Sequence, residues 1–197
     1  MRATYEEYRA YPGENHYVEW VDGELLVYRA PYLAHQALLG FLLTLLHRFV
    51  SHQELGYVTF IPFEMRLLQG HISRAPDIIF IARNHLDRLT EERLEGPADL
   101  VIEIICEDSV ARDREEKFYE YQAAGVPEYW IFDSRPGKER LDCYRLTGSG
   151  QYLARHPDDQ GRYRTPLLPG FWFDPAWLQQ RSFPDDAELV REMLGGR

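Results

Sequence analysis

The sequence predicts an α/β fold in which a mixed β-sheet is flanked by helices, with an N-terminal β-hairpin. Residues 76–133 have the pattern of a strand, a second strand, a helix and a third strand. The dipeptide Asp22-Gly23 separates two apolar runs, as is typical of a two-residue hairpin. Residues 34–52 carry apolar side chains at helical spacing. These three observations predict one mixed sheet with a long helix against it.

The first elements are a short helix and the hairpin. Thr4, followed three residues later by Glu7, has the form of a capping box, which predicts a helix ending near Ala10. The hairpin strands are predicted at residues 16–21 and 24–29.

A long core helix follows the hairpin. Its apolar stripe consists of positions 38, 41, 42, 45, 46 and 49. His35 lies in the first turn on the apolar side, where a lone histidine is more often a hydrogen-bonded packing residue than a ligand. Strands are then predicted at 56–61 and 63–68, interrupted by Pro62. Glu64, in the second of these strands, can face either side of the sheet.

Two carboxylates interrupt the apolar strands at the centre of the chain. Asp77 opens the apolar run 78–81, and Glu103 lies inside the run 100–105. Alternation along a strand places Glu103 on one face with Val101 and Ile105, and the other face is entirely apolar, as in a buried central strand. Because an unpaired ionised carboxylate would cost several kcal/mol there, Glu103 needs a cation.

The helix after this strand supplies a candidate cation. Asp113 and Glu116 have the pattern of a capping box, and Gly125 is the matching C-terminal stop. Lys117 and Tyr121 are four residues apart and therefore share one face of the predicted helix. The lysine is thus placed on a partly apolar stripe.

The C-terminal part is predicted to complete the sheet. Strands are predicted at 140–146, 151–155 and 171–173. Asp174 caps a helical turn that begins at Pro175, and residues 185–194 either form a last helix or fray. Residues 1–180 are interpreted as a single domain, and residues 181–197 as a C-terminal tail.

Composition limits the class of protein. The 197 residues are 45% hydrophobic, which suits a compact domain with a real core. No apolar run of 18 residues and no signal-peptide core is present, so we expect a cytoplasmic protein with reduced cysteines and no membrane partner. The net charge of −10 disfavours avid, nonspecific binding of DNA.

Four motifs in combination resemble a known family. They are Pro76-Asp77, Asp99-Leu-Val-Ile-Glu103, Asp113-Arg114 with Lys117, and Gly125-Val-Pro-Glu-Tyr-Trp-Ile-Phe-Asp133. The chain resembles the Uma2 family, which is similar to the PD-(D/E)XK nuclease superfamily. The resemblance extends more loosely to Asp22-Gly-Glu-Leu25, Pro31 and His35, and so covers most of residues 5–175.

The resemblance implies a restriction-endonuclease-like fold and hydrolysis of DNA with Mg²⁺ or Mn²⁺. Asp77 and Glu103 match the two metal-binding acids. The superfamily's lysine position, two residues after Glu103, holds Ile105, and Lys117 of the following helix is expected to take over the role of the ammonium. Further residues assigned to the lining of the site are His35, Glu64 and Tyr121.

Two interpretations of these residues stay open. In the first, Asp77 and Glu103 hold the metal ion, Lys117 stabilises charge in the transition state, and the partner is DNA bound weakly or specifically. In the second, Glu103 and Lys117 form a buried ion pair without chemistry, and the chain is a non-catalytic interaction protein that keeps the nuclease fold. A homodimer is compatible with both.

Overall fold

The computed structural model describes residues 1–11, 17–28, 32–67, 71–107, 109–180 and 182–195. The helices are α1 (Tyr5–Arg9), α2 (Leu33–His52), α3 (Lys117–Ala124) and α4 (Asp186–Met193), with 3₁₀ turns at Arg83–Arg88 and Pro175–Gln179 and a π-helical segment at Arg112–Glu116. The strands are β1 (Tyr17–Val21), β2 (Glu24–Tyr28), β3 (Gly56–Phe60), β4 (Glu64–Leu67), β5 (Ile72–Arg74), β6 (Ile78–Ala82), β7 (Arg93–Glu95), β8 (Leu100–Ile105), β9 (Glu128–Asp133), β10 (Arg140–Leu146), β11 (Tyr152–Arg155), β12 (Tyr163–Arg164) and β13 (Trp172–Phe173).

These strands form two main sheets. The six-stranded sheet has the order β11-β10-β9-β8-β6-β3, and the five-stranded sheet has the order β2-β1-β5-β4-β7; β12 and β13 pair separately. The six-stranded sheet is mixed, because β8 and β9 are parallel while its other pairs are antiparallel. The predicted mixed sheet and hairpin are confirmed, but the hairpin β1–β2 belongs to the second sheet.

Strand β8 is a buried central strand with an apolar core on each face. Leu100, Ile102 and Ile104 pack in one core with α2. Val101 and Ile105 pack in the other with side chains of α3, β9 and the five-stranded sheet. The predicted alternation is therefore confirmed, and Glu103 lies on the face covered by α3 and the five-stranded sheet.

The predicted ends of several helices are also confirmed. Thr4 accepts a hydrogen bond from the Glu7 backbone N–H at 3.2 Å, and the Glu7 carboxylate accepts one from the Thr4 backbone N–H at 2.7 Å. Gly125 ends α3 in the left-handed conformation with φ of 81°. Asp174 caps the 3₁₀ turn by accepting a hydrogen bond from Ala176 N.

Helix α2 is the core helix of the molecule. By length and composition it is long and apolar enough to cross a membrane, and it is the one such helix in the described part of the chain. Its apolar residues, from Leu38 to Val50, are buried against the six-stranded sheet and α4, which is how the core helix of a soluble protein meets the same criterion.

Three predictions about local structure need correction or completion. The turn residues Asn84, Thr90 and Gly96-Pro97 predict a loop with at most a short helix over residues 84–97. The structure has the end of a 3₁₀ turn there, as this allows, and also the unpredicted strand β7, which pairs with β4. Within residues 185–194, Asp186–Met193 form α4, whose Leu189 and Met193 join the core around α2. The predicted strand ends at residues 16, 29 and 68, and Pro31, lie outside the described residues.

Candidate active site

Glu103 is the centre of a buried polar cluster. Its side chain is 4% exposed, and its Oε1 accepts hydrogen bonds from Lys117 Nζ at 2.9 Å and from Tyr121 OH at 2.8 Å. The two donors are one helical turn apart on α3, as the stripe on that helix predicts. Among the described residues, no donor binds Oε2, so this oxygen remains for a ligand.

Lys117 lies among three carboxylates rather than beside one. Its Nζ is 2.9 Å from Glu103 Oε1, 3.3 Å from Asp113 Oδ1 and 3.5 Å from Glu19 Oε1. The lysine side chain is only 6% exposed. It therefore neutralises a buried group of acids that comes from β1, β8 and the helical segment before α3.

The prediction that Asp113 caps a helix is wrong. Helical structure already begins at residue 110, and Asp113 lies inside the π-helical segment, where its backbone N–H donates to Ser109 O at 2.9 Å. The Asp113 side chain is buried, and its carboxylate approaches Lys117 four residues on. An ion pair inside the protein therefore replaces the local cap.

Asp77 lies beside Glu103 on the neighbouring strand. The antiparallel register of β6 with β8 places Asp77, the residue before β6, opposite Glu103. Its Oδ2 accepts a hydrogen bond from Ile104 N at 2.7 Å, and its Oδ1 is 3.3 Å from His35 Nε2. The structure thus brings Asp77, Glu103, Lys117, Tyr121 and His35 together.

Glu64, by contrast, belongs to a separate network. Its carboxylate accepts hydrogen bonds from Tyr5 OH at 2.9 Å, from Ser73 Oγ at 2.7 Å and from Arg9 at 3.3 Å. These contacts join β4 to α1 and β5. None of them reaches Asp77, Glu103 or Lys117 within the described residues.

Glu19 and Arg74 are site residues that the sequence analysis missed. Glu19 Oε1 accepts a hydrogen bond from Ala75 N at 3.1 Å, and Glu19 Oε2 accepts one from Arg74 Nη1 at 2.8 Å. Arg74 also binds both carboxylate oxygens of Glu120 on α3, at 2.7 and 2.8 Å. Glu19 carried the same signal as Glu103, since it is one acid within an otherwise apolar strand, Tyr-Val-Glu-Trp-Val.

The cluster holds more acids than cations. Within the described residues, three cations, Lys117, Arg74 and Arg112, act on a group of five carboxylates, those of Glu19, Asp77, Glu103, Asp113 and Glu120. Burial raises the pKa of Glu103 to about 8; Lys117 opposes this shift, whereas Asp113, Asp77 and Glu19 add to it. The site thus favours binding a proton or an additional cation.

The same surroundings set the protonation of Lys117 and Asp113. Burial alone would lower the pKa of Lys117, but Glu103, Glu19 and Asp113 outweigh it and raise that pKa well above its ordinary value. Burial raises the pKa of Asp113, with Lys117 opposing the rise. The lysine is therefore held as an ammonium.

Comparison with known proteins identifies the family of the chain. A family model, Uma2, described as "Putative restriction endonuclease", matches residues 5–176. The chain belongs to the Uma2 family. The resemblance inferred from the four motifs is thereby confirmed.

The fold of this Uma2 chain is also found among solved structures, of which five chains match. One is the crystal structure of a putative nuclease belonging to DUF820 from Anabaena variabilis. It has a TM-score of 0.72 and 16% sequence identity, and the match covers 89% of this chain and 97% of the other. The restriction-endonuclease-like fold class is therefore confirmed. No curated protein matches the chain.

The donor set of the Uma2 site fits a hard divalent cation with few protein ligands. Within the described residues, no three or more His, Cys, Asp and Glu side chains converge as a complete metal cage. Mg²⁺ accepts such a site, because it is commonly held by one or two carboxylates and keeps several waters. Glu103 Oε2 and the Asp77 carboxylate are the oxygens that fit this role.

Proposed function

We propose that this Uma2 protein is a metal-dependent endonuclease that hydrolyses phosphodiester bonds of DNA. The observation that carries the proposal is the excess of buried carboxylate around one ammonium, at the position where the family motifs meet. A cluster that only stabilised the fold would gain more from balanced charges, because uncompensated buried acids are costly.

Asp77 and Glu103 would hold Mg²⁺ or Mn²⁺, in keeping with the oxygen ligands these ions prefer. When bound, such an ion lowers the pKa of a water and offsets charge on the phosphate oxygens. The Ile104 N–H fixes one Asp77 oxygen, and Tyr121 and Lys117 fix one Glu103 oxygen. The remaining oxygens are thus oriented by the chain itself.

Lys117 would stabilise the negative charge that develops on the phosphate during attack. An ammonium fixed by three carboxylates needs little reorganisation during the reaction, which is the condition for efficient electrostatic stabilisation. Glu19 would act as a positioning residue, since it contacts both Lys117 and Arg74.

The decisive experiment incubates pure protein with plasmid, linear and single-stranded DNA in Mg²⁺, Mn²⁺ or EDTA. We expect cleavage with the metal ions that is lost in EDTA and in Asp77→Ala and Glu103→Ala. Glu64→Ala is the matched control, because this acid is buried but lies in another network. Cleavage that persists in Glu103→Ala would come from a contaminating nuclease and would contradict the proposal.

Metal binding gives a second readout that does not depend on turnover. Calorimetric titration with Mn²⁺ should show one site in the wild type, and each of the Asp77→Ala and Glu103→Ala variants should lose it. Because a ligand that binds only the folded state stabilises it, Mn²⁺ should also raise the Tm of the wild type alone. Equal affinity in all three proteins would exclude these residues as ligands.

One observation favours a second candidate function, a non-catalytic interaction protein with the nuclease fold. Lys117 is nearly inaccessible and pairs with Glu103, as expected of a structural ion pair. On this alternative, no DNA cleavage is expected, whether or not a residual metal site is present, so the cleavage experiment distinguishes it from the nuclease.

A further inference from the structure

A cavity of about 350 Å³ lies beside the ends of β10, β11 and β12. Its lining includes four arginines, one histidine and one acid: Arg145, Arg155, Arg162, Arg164, His156 and Asp158. This concentration of arginine contrasts with the net charge of −10 of the whole chain. Arginine is the side chain best shaped to bind phosphate, through two parallel N–H···O bonds.

The cavity lies on the other face of the six-stranded sheet from the carboxylate cluster. Along β10, Arg145 shares a face with Leu141 and Cys143, which pack in the core with α2. Glu103 faces the opposite core, under α3 and the five-stranded sheet. A phosphate in this cavity would therefore not be the one that is cleaved at Glu103.

Two of the arginines are held in place by acids at their inner nitrogen. Arg145 Nε donates to Glu128 Oε1 at 2.7 Å, and Glu128 is buried. Arg164 Nε donates to Asp158 Oδ2 at 2.5 Å. In the described structure, each acid accepts a hydrogen bond from the Nε of its arginine and from no other nitrogen of that guanidinium group. The terminal nitrogens of Arg145 and Arg164 therefore remain for another acceptor.

A third arginine is fixed by stacking. The Arg162 guanidinium lies 3.5 Å from the centroid of the Trp172 ring, which is 4% exposed, and its Nη2 donates to Glu192 at 3.1 Å. Stacking on an aromatic ring orients a guanidinium without using its hydrogen-bond donors. The binding of an anion would therefore require little side-chain ordering.

The single acid of the lining is already fully engaged. Asp158 Oδ1 accepts hydrogen bonds from Gln160 N at 2.9 Å and Arg162 N at 3.0 Å, and Oδ2 binds Arg164. Arg155, in contrast, is exposed and forms no ion pair with a described residue. The cavity thus presents one uncompensated arginine beside three oriented ones.

We propose that this cavity is a second anion site of the protein and that it binds phosphate groups, carried either by a small phosphate compound or by a nucleic-acid strand. The site is independent of the proposed nuclease chemistry, because it uses different residues on a different face and needs no metal ion.

The test is a titration of the full chain with pyrophosphate in EDTA, which keeps metal ions from the carboxylate cluster. Arg155→Glu and Arg83→Glu are the compared variants, since both reverse one exposed arginine and change net charge equally. Arg83 follows β6, away from the β10–β11 edge, and does not line the cavity. Glu103→Ala serves as the control for the other site.

We expect the wild type, Arg83→Glu and Glu103→Ala to bind pyrophosphate with similar affinity, and Arg155→Glu to bind it at least about tenfold more weakly. A short single-stranded oligonucleotide that displaces pyrophosphate would identify a nucleic-acid strand as the source of the phosphate, whereas failure to displace it would identify a small phosphate compound. No binding to the wild type, or equal weakening in both arginine variants, would overturn the proposal.

Discussion

Replacing the buried ammonium of Lys117 should affect both the stability of the protein and DNA cleavage, and the two effects can be measured separately. In metal-free protein, Lys117→Met leaves its carboxylate neighbours uncompensated and should lower the free energy of unfolding by roughly 3–5 kcal/mol. The double variant with Glu103→Gln should recover part of this loss, because one of the acids is removed. Urea denaturation in EDTA measures both effects, and Lys138→Met is the control at an exposed lysine.

Adding Mg²⁺ to the same variants separates the two roles of the lysine. A bound cation should restore part of the stability of Lys117→Met, but cleavage should stay absent because transition-state stabilisation is missing. Cleavage that returned with Mg²⁺ would show that Lys117 is not catalytic. Unchanged stability of Lys117→Met in EDTA would show that it is not the compensating cation.

The protonation of Glu103 should make stability depend on pH. Its pKa is raised from 4.5 to about 8 in the folded protein, so folding takes up a proton between these values. The resulting stabilisation is fully present below pH 4.5 and is lost as pH rises towards 8. In EDTA, the stability of the wild type relative to Glu103→Gln should therefore decrease between pH 5 and 8.

Asp133 is a suitable control because its pKa is shifted in the opposite direction from that of Glu103. Burial would raise its pKa, but hydrogen bonds from Arg135 outweigh burial and hold the pKa of Asp133 below its ordinary value. Its contribution is present above that ordinary value and is lost as pH falls through the depressed pKa. Stability differences for Asp133→Asn should thus decrease in acid. If the stability differences for Asp133→Asn and Glu103→Gln changed in the same direction with pH, the raised pKa of Glu103 would be contradicted.

Among the individual residues of the site, the sequence predicted the acids that interrupt apolar strands and the lysine one helical turn from Tyr121. The need of a buried Glu103 for a cation predicted its pairing with Lys117, and the resemblance to the Uma2 motifs added Asp77 to the group. Glu19 has the same local signal as Glu103, but its contact with Lys117 joins distant segments through tertiary packing, so that signal does not indicate which residues it contacts. Glu64 was included in the lining of the site although its strand pattern allowed either face, and its hydrogen bonds in the structure belong to another network.

Among the elements, β3 depends on the absence of a side chain at Gly56. A Cβ there would lie 2.0 Å from the Ile81 carbonyl oxygen on the paired strand β6, so the two strands would have to separate locally. Gly56→Ala should therefore destabilise the protein by about 1–3 kcal/mol, as expected for overpacking. Gly148→Ala is the matched control, since its Cβ would meet no atom within 4 Å. Equal Tm values for the two variants would contradict the steric role of Gly56 in the pairing of β3 with β6.

Most helix ends were predicted from local patterns, but the start of the helix near Asp113 was not. The caps at Thr4, Gly125 and Asp174 are local arrangements, and each was predicted correctly. Asp113 has the same local pattern, but burial beside Lys117 offers its carboxylate a charged partner. The helix therefore continues through Asp113 towards residue 110 with a π-helical segment, which frequently occurs at functional sites.

For the whole molecule, α4 decides whether residues 1–180 can stand alone. Leu189, Val190 and Met193 are buried in the core that includes α2. Removing residues 181–197 exposes that surface, and each lost apolar side chain contributes up to about 1.5–3 kcal/mol. We expect the chain 1–180 to have a markedly lower urea midpoint than the full chain, whereas Glu188→Ala, at an exposed position of the same helix, should leave it unchanged. Equal midpoints for both chain lengths would support a self-sufficient domain of residues 1–180.

The sequence did not predict that the strands divide into two main sheets. Strand patterns predicted most strands, but they do not specify which strands pair, and one sheet was the simplest arrangement. The chain passes between the two sheets several times, and one of these crossings, between β5 and β6, is a segment of three residues that includes Asp77. Side-chain periodicity has no signal for such a crossing, because both strands are buried.

Arg74 joins the two halves of the site, and this has a consequence for synthesis of the protein. It connects Glu19 of the first hairpin to Glu120 of α3, while Lys117 connects that hairpin to β8. Contacts between such distant segments form late, after the entropy of closing long loops has been overcome. A nascent chain therefore cannot assemble the cluster until the ribosome has released the helix that carries Lys117, so an unfinished chain would lack the proposed catalytic site.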